Sequence, residues 1–166
     1  KQKFIFFYLS TGLGAAALQL LLYYYQVEHV NEALTEYGLN SSQISTFYQT
    51  AELPTSAINI IGEGQLSSGF NAFRSVMVGA SGALYGVLVG FAMLFPNAQL
   101  MLLFPPIPVK AKFLVPILIF ADLFFGFSSY SIGPIAHFAH VGGAITGLAM
   151  MWYWKKNEFN NNRWDL

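Results

Sequence analysis

The sequence of 166 residues contains no cysteine, which excludes a thiol nucleophile, a disulfide framework and any thiolate-held metal. Charge is scarce as well: only 10% of residues are charged, against roughly a quarter in ordinary soluble domains. So few charges cannot cover a water-exposed surface. Eight Lys plus Arg balance eight Asp plus Glu, so there is no net basic field to hold nucleic acid and no acidic arm for a solvated partner. Apolar side chains fill the place of the missing charges. The chain is 55% hydrophobic with a mean hydropathy of +0.49, which points to lipid as its solvent.

Uninterrupted apolar stretches predict four membrane spans and an all-α, polytopic helix bundle. Phe4 to Tyr25 runs for 22 residues without a charged side chain, long enough to cross a hydrocarbon core of about 30 Å. A second span is expected over Val76 to Phe95, a third over Phe113 to Phe127 with Asp122 inside it, and a fourth over Pro134 to Trp154. A signal peptide is a poor reading of the first stretch, because Tyr23, Tyr24 and Tyr25 stand where a small-residue cleavage site would be. Lys1, Lys3, Lys110, Lys112, Lys155, Lys156 and Arg163 all fall on one side of this arrangement, and Arg74 alone falls on the other. By the positive-inside tendency both ends of the chain are expected to be cytoplasmic.

The segment 26–74 between the first two spans is too polar to cross the membrane and reads as an outer insertion loop of one membrane domain covering residues 1–166. Within it Val27, Val30, Leu34 and Tyr37 recur at helical spacing beside Glu28, Glu32 and Glu36, which predicts a short amphipathic helix on the membrane surface. Phe104 to Lys110, interrupted by three prolines, cannot be a regular helix and reads as an extended connector.

Helices in lipid associate through close packing of small residues rather than through hydrophobic expulsion. The second span supplies Gly82, Gly86 and Gly90, and the fourth supplies Gly143 and Gly147, again four apart. Ser81 precedes the first stripe and His140 lies one turn before the second. Counting at 1.5 Å per residue from the outer face puts Ser81 about 8 Å and His140 about 9 Å deep, so the two can share a level. A serine hydroxyl is a poor nucleophile until a positioned base takes its proton, and imidazole is suited to that near neutral pH. On residue types alone, the alternative is a serine bonded to its own helix and a histidine bonded to a neighbouring one.

Gly79-Ala80-Ser81-Gly82 with Tyr85 one turn later, followed by Ala139-His140-Val141-Gly142-Gly143 and Gly147, resembles the rhomboid family of intramembrane serine proteases. The resemblance implies that Ser81 is the nucleophile, that His140 is the general base, and that Tyr85 packs against the imidazole. It implies further that Gly79 and the Ser81 backbone N–H serve positioning and the oxyanion, and that the glycine stripes bring the dyad together. It covers the last four spans of a six-span core, and the chain starts at Lys1 without an initiator methionine. The two earlier helices, which in the family carry further oxyanion donors, are therefore expected to have been removed, and a polypeptide confined to residues 1–166 is expected to be inactive. The expected partners are transmembrane protein substrates, lipid and those absent helices of the same protein. A rhomboid-like pseudoprotease that binds membrane helices without cutting them is the alternative.

No cofactor is expected, and no metal: His137 and His140 at i and i+3 lack a nearby carboxylate in sequence. His137 is expected near the outer rim. Asp122, the one carboxylate within a span, is expected to be protonated or hydrogen-bonded in a structural role. The stretch Gly126 to Gly133 reads as a connector whose glycines would permit movement beside substrate.

Overall fold

The computed structural model describes residues 2–76, 80–101, 106–127 and 136–157. Within them the chain is helical apart from one short hairpin: α1 (Gln2–Glu36), α2 (Ser41–Thr50), α3 (Thr55–Ile61), α4 (Glu63–Arg74), α5 (Ser81–Leu94), β1 (Gln99–Met101), β2 (Pro108–Lys110), α6 (Ala111–Phe127) and α7 (His137–Asn157). It divides into two compact units, one formed by Lys1–Gln19 with Val78–Leu166 and the other by Leu20–Met77.

The first unit is a bundle of the start of α1 with α5, α6 and α7. Most of its inward positions on α5 and α7 are small, namely Gly82, Ala83, Gly86 and Gly90 on α5 and Ala139, Gly142, Gly143, Ala144 and Gly147 on α7, with Val89, Val141 and Met151 packed among them. At two levels the α5 and α7 backbones nearly touch. A Cβ at Gly143 would run into the Gly82 carbonyl oxygen, and one at Gly147 would lie 2.7 Å from the Gly86 Cα. One turn further on, Gly90 faces Phe7 of α1 and Met151 of α7. On its other side α5 meets α1, with Gly82 against Ala15 and Gly86 against Thr11. Large apolar side chains point outward, among them Leu13, Phe120 and Ile145. Of the described helices α1 alone is both long and apolar enough to cross a membrane, while α5 is apolar but only 14 residues long.

Two boundaries differ from the sequence reading for a local reason. The second and fourth spans were expected from Val76 and Pro134, whereas α5 begins at Ser81 and α7 at His137. Apolar character continues upstream of both starts, and hydropathy alone does not register where a helix is nucleated. The connector after α5 is extended, as proline demands. Gln99 pairs with Lys110 and Met101 with Pro108 in an antiparallel hairpin, with residues 102–105 outside the described set.

The second unit replaces the expected loop with helices. The amphipathic segment at Val27 to Tyr37 is the continuation of α1, which stops only where Gly38 takes φ +102°. There the Leu39 N–H bonds Leu34 O at 3.0 Å and the Gly38 N–H bonds Thr35 O at 2.9 Å, closing the helix end. Asn40 starts α2 with a reciprocal cap: its side chain accepts from the Gln43 N–H at 3.0 Å, and its own N–H donates to Gln43 Oε1 at 2.9 Å. Val30, Leu34, Phe47, Tyr48 and Leu66 form the core, flanked by Ile44, Leu53, Ile58 and Phe70. The Ser, Thr and Asn content of this stretch suggested loop, but these residues act as caps and exposed faces around a sparse apolar pattern.

Candidate active site

Ser81 is the first residue of α5, so its backbone N–H has no carbonyl one turn back to bond within the helix. Its side chain is exposed, and its Oγ lies 3.0 Å from His140 Nε2. His140 stands one turn into α7, and the close passage of Gly143 along Gly82 sets the separation of the two helices at this level. Tyr85, one turn after Ser81, stacks on the imidazole with ring centroids 4.2 Å apart and planes only 6° from parallel. The imidazole can thus rotate only with the loss of that stack.

A third element enters from α6. Asp122 is buried at 6% exposure, and its Oδ1 lies 3.1 Å from His140 Nδ1 and 2.6 Å from His137 Nδ1. His137, the first residue of α7, is buried at 7% exposure. Asp122 is hydrogen-bonded, within the range of its expectation, but its partners include the imidazole that faces Ser81. Residues 15 and 18 positions apart in sequence meet here, and spacing gave no sign of it. The two contacts are direct hydrogen-bond lengths, and among the described residues no group of three His, Asp or Glu side chains is arranged to hold a metal ion.

Two polar residues of α1 that the sequence reading passed over support the site. Gln19, 4% exposed, accepts the Ala139 N–H through Oε1 at 3.0 Å, which ties down the first turn of α7 beside His140. Thr11 is fully buried and donates to Tyr8 O at 2.9 Å, with Ala83 O 3.3 Å away. An amide within an apolar run could have flagged Gln19, since such groups usually bond a neighbouring helix. Gly79 and most of the Gly126 to Gly133 connector lie outside the described residues.

Comparison with known proteins gives a consistent family. A Rhomboid domain profile matches residues 35–157. Rhomboid protein 1, mitochondrial, of Saccharomyces cerevisiae is 35% identical over 81 residues, covering 48% of this chain and 22% of that protein. The matched region is thus less than a quarter of the yeast relative's length. No solved structure matches. With the family profile spanning most of its length, the chain belongs to the rhomboid family and is an integral membrane protein built as a helix bundle.

Proposed function

We propose that the chain carries the Ser/His dyad of an intramembrane serine protease that cleaves transmembrane helices near the outer membrane surface. The observation that carries this reading is the 3.0 Å contact between Ser81 Oγ and His140 Nε2, with the imidazole held by the Tyr85 stack. Family membership supports it, since rhomboids are generally serine proteases, with inactive members among them.

The chemistry is acyl transfer. His140 Nε2 takes the Ser81 proton as Oγ bonds the scissile carbonyl carbon and the carbonyl electron pair moves to oxygen. The tetrahedral oxyanion then forms beside the N-terminus of α5, where the Ser81 N–H and the helix dipole favour negative charge. Collapse breaks the C–N bond, and His140 returns the proton to the departing amine. Water repeats the sequence on the acyl-enzyme. A peptide bond inside an intact helix is shielded by its own hydrogen bonds, so the substrate class is a transmembrane protein with a weak helix at this depth.

The reading takes the first part of α1 with α5, α6 and α7 as four crossings of one rhomboid-like membrane domain, and 26–74 as its insertion on the outer side. Basic residues cluster at Lys1, Lys3, Lys110, Lys112, Lys155, Lys156 and Arg163, which puts both ends of the chain on the cytoplasmic or equivalent inner side. The resemblance points to a bacterial inner membrane, while the yeast relative is mitochondrial.

A fluorophosphonate probe applied to the intact protein in proteoliposomes tests the reading. Ser81 should label, and both Ser81→Ala and His140→Ala should abolish labelling. Ser81→Ala should also lower cleavage of a transmembrane reporter by about 10⁴-fold or more. A wild-type protein that captures membrane helices yet fails to label would be a pseudoprotease.

A further inference from the structure

The dyad accounts for His140 Nε2 and leaves its other ring nitrogen unexplained. That nitrogen is 3.1 Å from Asp122 Oδ1, on a third helix, and the same oxygen is 2.6 Å from His137 Nδ1. A carboxylate this deeply buried is costly unless donors surround it. Here two imidazole nitrogens, on His137 and His140, lie within hydrogen-bonding distance of one carboxyl oxygen directly behind the base, so the buried carboxyl group has partners.

We propose that Asp122 is a positioning residue for His140, making the site a Ser81–His140–Asp122 triad in which His137 is a second clamp on the carboxylate. The inference rests on the protease reading above and goes beyond its two-residue form. Its logic is one of tautomers. His140 can serve as a base only if Nε2 carries a lone pair, which requires the proton on Nδ1. An ionised Asp122 accepting from Nδ1 selects that tautomer and aims the ring at Ser81. His137 obeys the same constraint, because its Nε2 is buried with no partner among the described residues and a proton there would be an unpaired donor. Both rings therefore present Nδ1–H to one oxygen, which has the two lone pairs to accept them.

During attack the Ser81 proton moves to His140 Nε2 and the Nδ1 proton stays on nitrogen, so an imidazolium forms beside a fixed negative charge. Asp122 gains no proton at any step. When the amine leaves, Nε2 gives its proton up and the resting arrangement returns. Because the His137 clamp lies 15 residues away in sequence and on α7 with His140, it also locks α6 to α7 at the level of the dyad.

The test uses the intact protein in proteoliposomes and a fluorophosphonate probe, separating reversible probe binding from the rate of covalent reaction. Asp122→Asn should lower the covalent rate by about 10² to 10⁴-fold while binding changes by less than about twofold, as expected for a lost tautomer. Asp122→Glu should recover at least tenfold of that loss. A purely structural Asp122 would show no such split between binding and rate and no recovery. Nitrogen-15 NMR of histidine-labelled wild-type protein supplies a measurement independent of any variant's folding. His137 and His140 should both rest as Nδ1–H, and a His140 protonated on Nε2 overturns the proposal. An Asp122→Asn protein that reacts at the wild-type rate also overturns it, while loss of labelling in Ser81→Ala would leave the protease reading standing. If the wild-type protein does not label at all, the protease reading itself fails.

Discussion

The two units of the chain differ in what they bury. In the bundle of Lys1–Gln19 and Val78–Leu166 the buried positions include many glycines and alanines and the polar set Thr11, Gln19, Asp122 and His137 beside Phe7, Val89, Val115, Val141 and Met151, while Leu13, Phe120 and Phe124 face outward. In Leu20–Met77 the interior centres on Val30, Leu34, Phe47, Tyr48 and Leu66, and the surface carries Glu, Ser, Thr and Asn beside exposed rings and aliphatics such as Tyr24, Ile60 and Phe73. The proposed surroundings of the two units, lipid for the first and water for the second, account for the difference. Where lipid surrounds a helix, expelling Leu or Phe inward gains nothing, so close backbone approach and interior hydrogen bonds hold the helices together. Where water surrounds it, burying the same side chains is the main driving force. The imidazole and carboxylate can sit together behind the exposed Ser81 hydroxyl because that unit buries polar groups such as Asp122 and His137.

The largest effect should come from adding bulk where the backbones meet. Gly143→Val places a branched side chain against the Gly82 carbonyl, a fixed group that cannot rotate away. It should destabilise the bundle by more than about 3 kcal/mol, at or beyond the usual cost of overpacking, and should abolish fluorophosphonate labelling of Ser81. Reversible unfolding in mixed detergent reads the first effect. In the second unit the same size of loss should come from removing bulk. Leu34→Ala empties a fully buried site and should cost about 2–5 kcal/mol, measured by hydrogen exchange of the amides in Leu20–Met77. If Gly143→Val is tolerated, the backbone contact is not what holds α5 to α7.

A pair of lysines sharpens the contrast of solvents. Phe120 on α6 and Ile60 on α3 are both largely exposed, at 70% and 72%. In water the two changes would be equivalent. Phe120→Lys should instead cost about 3 kcal/mol or reduce membrane insertion, the price of a charge near the middle of a lipid-facing helix. Ile60→Lys should fall within about 0.5 kcal/mol of wild type, as surface substitutions usually do. Equal, small effects would mean that the bundle does not face lipid.

How far the sequence could be read follows the same division. Apolar runs in the bundle are long, uncharged and punctuated by glycine, so its helices and the pairing of Ser81 with His140 were legible from hydropathy, charge asymmetry and motif. The interior partner of the base was not legible. Asp122 and His137 meet through the packing of α6 on α7, and no local pattern encodes which face of a nearly uniform apolar helix turns inward. The second unit was misread as loop because its helices are short and depend on caps and turns, such as Asn40 with Gln43 and Gly38 after α1, rather than on a long periodic stripe.

The smallest effect concerns a titration in the water-facing unit. Tyr48 is a core residue whose hydroxyl donates to Asn31 Oδ1 at 3.0 Å, and burial pushes its phenol above the ordinary tyrosine value, with the nearby Glu28 carboxylate adding to the rise. The folded state thus disfavours the phenolate. The associated stability is fully present below the ordinary value of about 10 and is lost as pH rises through the higher folded value. Tyrosinate absorbance, taken as the difference between wild type and Tyr48→Phe, should show Tyr48 ionising late. Glu28→Gln should bring that midpoint only part of the way back, because desolvation is the larger cause and the variant leaves it untouched. A complete return to the ordinary value would mean that the Glu28 charge, and not burial, sets the rise, and the Tyr48 hydroxyl would then lie outside the apolar interior of the second unit.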